Sequence, residues 1–252
     1  MQRIEFGELV IGEVARKNLM HVCDTNWASG GPKVKQLEKE WSDIFGYKRS
    51  VAMSSGTDAV INACLALYDI AGAKRGDKVI VPALSFIATS NAVRAAGLTP
   101  TFVDVKKETL NINEEQIEEA ITDRTVAIMP VHTMGRPAEM EAICDIANRH
   151  GLVVIEDACE AHGASYKDRF IGHWGDMSVY SFYIAHLVCC GEGGMVSVND
   201  RPLADILASC RSHGRPFDSV YFDHQRVGYN SKMNDLEASI GLEAVSVFSG
   251  YF

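Results

Sequence analysis

Short β-rich runs alternate with helical stretches along most of this chain, and that alternation constrains its fold more than any other feature. KVIVP (78–82), TFVDV (101–105), TVAIMPV (125–131) and LVVIED (152–157) are separated by patterns such as INEEQIEEAI and AEMEAICDIANRHG. Strands alternating with helices imply βαβ units, and hence an α/β three-layer sandwich around a mainly parallel sheet. From 177 to 199 the runs MSVYSFY and GGMVSVND are joined through AHLVCCGE, with no room for a crossover helix, so antiparallel pairing and a mixed sheet are expected there. PKVKQLEKEWSDIFG (32–46) spaces Val34, Leu37, Trp41 and Ile44 for one helix face and ends on glycine. No repeat, low-complexity tract or linker interrupts the pattern, so residues 1–252 are expected to form one domain.

Composition narrows the function classes. The 24 Lys and Arg against 33 Asp and Glu give a net charge of −9, which disfavours nucleic acid or an anionic membrane as partner but permits a local positive pocket. No run approaches a membrane span, and MQRIEFGELVIGEVARK lacks a secretory core, so a cytoplasmic location is expected. The 7 cysteines are odd in number and contain no CxxC pair, which argues for reduced thiols. Four convergent thiolates for an iron-sulfur cluster are not expected, and no metal site is.

Three segments each place chemistry after a strand. Ser54-Ser55-Gly56-Thr57 follows VAM and opens the helix DAVINACLALY, either as a plain N-cap or as an anion cradle of outward amides and hydroxyls. Phe86 follows KVIVP, where its ring is either core or a cover for a flat ligand. Asp157 ends LVVIED, where a carboxylate either caps the next turn or holds a ring nitrogen protonated. Ligand groups in α/β sheets gather at one strand edge, so the functional case is joint. His132 in PVHTMGRP is left open between substrate contact and turn anchor, while His162 and His173 read as structural or surface residues.

VAMSSGTDAV, ALSFIATSNAVRAAGLTPTFVDV, EDACEAHGASY, VYSFYIAHLVCCGEGGMVSVND and GYNSKMNDLEASIGLEAV together resemble, in order and spacing, the nucleotide-sugar aminotransferases of the DegT/DnrJ/EryC1/StrS group. The resemblance covers essentially the whole chain. It implies a fold type I, pyridoxal-phosphate-dependent transferase-like large domain. It also implies that Gly56, Thr57 and Ser181 hold the phosphate of pyridoxal or pyridoxamine 5′-phosphate, that Phe86 stacks on the ring, and that Asp157 pairs with the pyridine nitrogen. Glu160 corresponds to the residue beside the ring hydroxyl, and Asn230 to an asparagine reaching the phosphate across a homodimer interface. A nucleotide-linked keto-sugar as substrate and glutamate as amino donor are implied with them.

One position departs from the aminotransferase pattern. After Ser181-Phe182 and three further residues the family has the lysine that binds the cofactor covalently; here that position is His186. An imidazole forms no stable Schiff base but moves protons near neutral pH. The same exchange characterises a branch of 3-dehydratases acting on nucleotide-linked 4-keto-6-deoxy sugars, which the chain resembles with SFY and GEGG intact around the site. Three readings follow: a pyridoxamine-phosphate 3-dehydratase with His186 as base, an aminotransferase whose lysine has moved to Lys167 or Lys232, or a non-catalytic binding partner. The family's smaller C-terminal subdomain is expected to be missing, because the sequence ends at Ser249-Gly250-Tyr251-Phe252.

Overall fold

A computed structural model describes residues 7–216 and 223–250. Met1 to Phe6, part of the N-terminal stretch read above, and Tyr251-Phe252 lie outside the described residues. The elements in chain order are α1 (Glu13–Thr25), α2 (Pro32–Phe45), β1 (Arg49–Met53), α3 (Gly56–Ile70), β2 (Lys78–Pro82), α4 (Ala88–Ala95), β3 (Thr99–Val103) and α5 (Ile117–Ala120). They continue with β4 (Thr125–Ile128), α6 (Met140–His150), β5 (Val153–Asp157), β6 (Ser165–Tyr166), β7 (Arg169–Phe170), β8 (Met177–Ser181), β9 (Gly194–Val198), α7 (Arg201–Cys210) and α8 (Asp235–Ser249).

Seven strands form one sheet in the order β1-β9-β8-β5-β4-β2-β3, with β6 and β7 as a separate small hairpin. Strand β9 is antiparallel to β1 and β8, and the remaining pairings are parallel. The sheet is therefore mixed and mainly parallel, with its irregular pairing in the 177–199 region where no crossover helix fits.

Period-two alternation sends successive strand residues to opposite faces. Ala52, Ile80, Ile128, Val154, Tyr180 and Met195 join a core with α2, α6 and α8, through Trp41, Ile143 and Leu242. Their neighbours Val51, Val79, Ala127, Ile155, Val179 and Val196 join a second core with α3, α4 and α7, through Ala63, Val93 and Leu207. Both faces are covered, giving three layers.

Local differences from the sequence reading have physical causes. Strand β3 begins at Thr99 rather than 101, because it pairs only with β2 at the sheet margin, where Pro100 loses no ladder hydrogen bond. INEEQIEEAI yields only a 3₁₀ turn at Glu114–Gln116 and the four-residue α5. Four glutamates crowd that segment, and Lys106 ion-pairs with Glu114 and Glu115. On α2, Phe45 rather than Ile44 is the fully buried residue at the last turn.

Helix α8 holds the N-terminal helices by their amide ends. Asp235, 2% exposed, accepts from Gly31 N (2.8 Å), Val34 N (3.0 Å) and Lys33 N (3.2 Å) at the start of α2. Glu243, two turns on, accepts from Gly12 N (2.9 Å) and Ala15 N (3.1 Å) at the start of α1. Each carboxylate satisfies amides that a helix cannot pair internally and faces the positive end of its dipole. Asp235→Ala is expected to lower unfolding free energy by on the order of 3 kcal/mol, from the lost cap and the stranded amides. The check is a fall in denaturant midpoint at unchanged m-value, with Asp235→Asn intermediate.

Candidate active site

The parallel strands all end at one edge of the sheet, and the chemistry-bearing residues emerge there. Register sets their heights. Met53 on β1 and Ser181 on β8 both pair with Gly194 at the start of β9, so three strand ends lie in one row. Asp157 at the end of β5 pairs with Val179, two residues before Ser181, and bridges Val131 on its other side.

Two glycines let the turn after β1 settle on that row. A Cβ on Gly194 would collide with the Ser55 carbonyl, and a Cβ on Gly56 would stand 2.5 Å from Ser181 Cβ. Only side-chain-free positions permit this approach. Ser55 is the N-cap of α3, its hydroxyl accepting from Asp58 N at 3.0 Å, so the plain capping role is real. What then remains outward are the first-turn amides of Gly56 and Thr57, which have no intrahelical partner, and the exposed Thr57 hydroxyl. The cap is therefore compatible with an anion cradle at the same turn rather than an alternative to it. Ser181, buried at 8% exposure, forms its floor.

Asp157 is buried and oriented: Thr89 Oγ1 donates to one carboxylate oxygen at 3.0 Å and Cys159 N to the other at 3.3 Å. Thr89 also hydrogen-bonds Ser85 at 2.7 Å, and its amide donates to the Phe86 carbonyl at 3.2 Å. One residue of α4 thus links the carboxylate to the turn bearing Phe86. The Phe86 ring is 75% exposed, which excludes the core reading of that residue. Sequence reasoning missed Thr89; its signal was a threonine three residues beyond the aromatic in SFIAT.

His186 lies on the loop between β8 and β9, half-buried, with its ring centroid 6.0 Å from that of His162 and 6.5 Å from that of Tyr183. Burial lowers its pKa below the ordinary histidine value, while the Glu160 and Asp157 carboxylates pull it part of the way back. His186, Glu160 and Asp157 therefore share one electrostatic neighbourhood. Glu160 is exposed and accepts from Met134 N at 2.5 Å. Asn230 is exposed too; it bridges Ser212, and its neighbour Ser231 accepts from Ser54 N at 2.9 Å. Asn230 thus sits beside the base of the β1 turn, without a described contact to Gly56 or Ser181.

Of the other singled-out residues, His132 and Lys232 border this edge by their backbones, His132 N donating to the Asp157 carbonyl at 3.0 Å and Lys232 bridging Met53, but their side chains are engaged elsewhere. His132 is fully buried, with Nε2 3.2 Å from Glu156 Oε2 and Nδ1 accepting from Ala138 N at 3.1 Å. Glu156 also accepts from Gly172, Trp174 and Gly175 amides, so His132 anchors turns. Lys167 ion-pairs with Glu141 on α6, and Lys232 lines a cavity of about 310 Å³ between α2, β1 and α7. Neither approaches the role of residue 186 through any described contact.

The chain matches the DegT/DnrJ/EryC1/StrS aminotransferase family over residues 10–249. It is 38% identical over 242 residues to the spore coat polysaccharide biosynthesis protein SpsC of Bacillus subtilis, covering 92% of this chain and 61% of that protein. It is 39% identical over 228 residues to the GDP-perosamine synthase of Caulobacter vibrioides, covering 90% and 60%. Among solved structures, the Escherichia coli GDP-4-keto-6-deoxy-D-mannose-3-dehydratase with bound hydrated PLP superposes with a TM-score of 0.88 at 30% identity, covering 98% of this chain and 68% of that one. The chain spans about three fifths of the length of these curated relatives. With the family's motifs in order along the chain and gathered at one sheet edge, the chain belongs to the DegT/DnrJ/EryC1/StrS aminotransferase family.

Proposed function

We propose that this chain is the large domain of a pyridoxal/pyridoxamine-phosphate enzyme of nucleotide-sugar biosynthesis, and that it removes the 3-hydroxyl of a nucleotide-linked 4-keto-6-deoxyhexose with His186 as base. The observation that carries the reading is the imidazole at the lysine position, half-buried beside Glu160 and Asp157 with its flanking motifs intact.

The residues fit the cofactor. The two-glycine approach of the Ser55–Gly56 turn to Ser181 leaves amides and hydroxyls for a phosphate at a helix N-terminus. An exposed aromatic ring and a buried, doubly hydrogen-bonded carboxylate flank that cradle and suit a flat, protonated pyridine. When bound, pyridoxamine phosphate supplies an amine for condensation with the 4-keto group and an electron-withdrawing ring.

The protein's part is binding and proton movement. Gly56, Thr57 and Ser181 hold the phosphate, Phe86 covers one ring face, and Asp157 keeps the ring nitrogen protonated. Glu160 stands at the ring hydroxyl, and Asn230 reaches the phosphate of the partner subunit in a homodimer. Burial keeps His186 unprotonated at neutral pH, ready to take a proton at a ring nitrogen, and the two nearby carboxylates favour the imidazolium once formed. Glutamate as amino donor returns the aminated cofactor. The setting is cytoplasmic; among the described residues no helix is long and apolar enough to cross a membrane.

A sugar aminotransferase is the second reading, favoured by the family description. It requires a lysine at the site, and the pairing of Lys167 with Glu141 counts against one candidate.

His186→Lys should create a borohydride-reducible covalent link to pyridoxal phosphate, seen as new absorbance at the visible edge; an unchanged spectrum counts against this site. For the native protein, kcat/KM for loss of the sugar 3-hydroxyl should rise with pH through a titration below the ordinary histidine value of 6.5 and then level off. The sign follows because the base works unprotonated, and a rate that instead falls through that range removes the assignment. Gly56→Ala, whose Cβ must displace Ser181, should weaken pyridoxamine phosphate binding by about tenfold or more, measured by fluorescence titration. Retained affinity in that variant would separate the phosphate from this turn.

A further inference from the structure

His162 is a site-proximal histidine that the proposed chemistry does not use. It sits five residues after Asp157, on the segment that also carries Glu160, and is 4% exposed. Its ring packs edge-on against Trp41 (5.6 Å), Tyr180 (5.6 Å), Phe182 (6.1 Å) and Phe248 (6.5 Å), and lies 6.0 Å from the ring of His186. Nδ1 accepts from Val188 N at 3.3 Å. Accepting at Nδ1 puts the ring proton on Nε2 in the neutral form. That Nε2 is buried and makes no full hydrogen bond among the described residues, although the Ser181 backbone is near enough to act on it as a weak acceptor.

An imidazole is a poor choice for filling this aromatic box. Its Nε2 donor, with at best a weak partner in the Ser181 backbone, costs stability that phenylalanine or leucine would avoid, and such exceptions mark functional constraint. The loop it touches supplies the reason. Phe182 N bonds Gly193 O (2.9 Å) and Cys190 N bonds Phe182 O (2.9 Å), closing the loop at its base. Between them, His186 N to Tyr183 O (3.0 Å) is internal to the loop, whereas Val188 N to His162 ties the loop to the core two residues from His186.

We propose that His162 is a positioning residue for His186: a buried imidazole that holds the 183–189 loop at Val188 and so sets where the base stands relative to Asp157 and Glu160. Desolvation, reinforced by His186, pushes the His162 pKa down to about 3, so the acceptor lone pair persists at working pH. This deepens the dehydratase reading and rests on it for the meaning of "base", but the tie itself is testable without cofactor or substrate.

The experiment compares His162→Phe, which keeps the aromatic packing, and His162→Asn, whose side-chain oxygen replaces Nδ1 as acceptor, by amide exchange and histidine NMR on the full chain. In His162→Phe the Val188 amide should exchange about tenfold faster, with thermal stability unchanged or raised. The His186 titration should move up toward its ordinary value as the loop gains solvent, since burial is what lowers it and Glu160 and Asp157 face it in either case. His162→Asn should restore both toward native. Unchanged Val188 exchange and an unchanged His186 titration in His162→Phe overturn the proposal, as does a native His162 that titrates near 6.5 or carries its proton on Nδ1. His162→Leu serves if the phenylalanine variant does not fold. A tie found in a protein that lacks dehydratase activity would retire the function and leave this inference standing.

Discussion

The catalytic edge depends on one close approach: the backbone of Ser55 and Gly56 lies against the ends of β8 and β9, with no room for a Cβ on Gly56 or Gly194. That contact lets a capped helix N-terminus and the end of a neighbouring strand share one small volume. A helix N-terminus alone is a weak anion site; with a buried hydroxyl beneath it and a carboxylate one strand away, it suits the phosphorylated, cationic ring that the proposed function places there. The register row through Met53, Gly194 and Ser181 is what brings the strand ends level.

Around that contact the structure repeatedly uses buried or half-buried carboxylates to organise backbone. Asp235 and Glu243 hold two helix starts, Glu156 gathers three amides and His132, and Asp157 is aimed by Thr89 and Cys159. Three of these take only backbone amides or a histidine as partners, whereas Asp157, at the end of a parallel strand, is held by the Thr89 hydroxyl and one amide.

Under the proposed function, the histidine at residue 186 changes the chemistry while the flanking motifs stay intact. A lysine there would capture an aldehyde covalently, whereas an imidazole can only pass protons. The neighbourhood suits the second task, because desolvation leaves the ring neutral while two carboxylates stand ready to balance its charge.

Element type was legible in the sequence wherever hydrophobic period was clear. KVIVP, VVIED and the helix after Gly31 are where the pattern puts them, and the AHLVCCGE connection announced antiparallel pairing by its shortness. The site was legible as motifs in order: the resemblance named Gly56, Phe86, Asp157 and His186 by position along the chain. The roles of Thr89, Asp235 and His162 were hidden, since each acts across a long stretch of chain on a backbone amide or a buried oxygen, and pairings of that kind leave no local period. His132 shows the same limit, because only burial against Glu156 separates a turn anchor from a ligand contact. By itself, then, the amino-acid order determined the βαβ class, the family motifs and the exchange of lysine for histidine, because those are properties of local pattern and residue identity. The strand order, the level row of strand ends and the neutral histidine behind the loop were decided only in three dimensions, where packing and desolvation act between residues far apart in the chain.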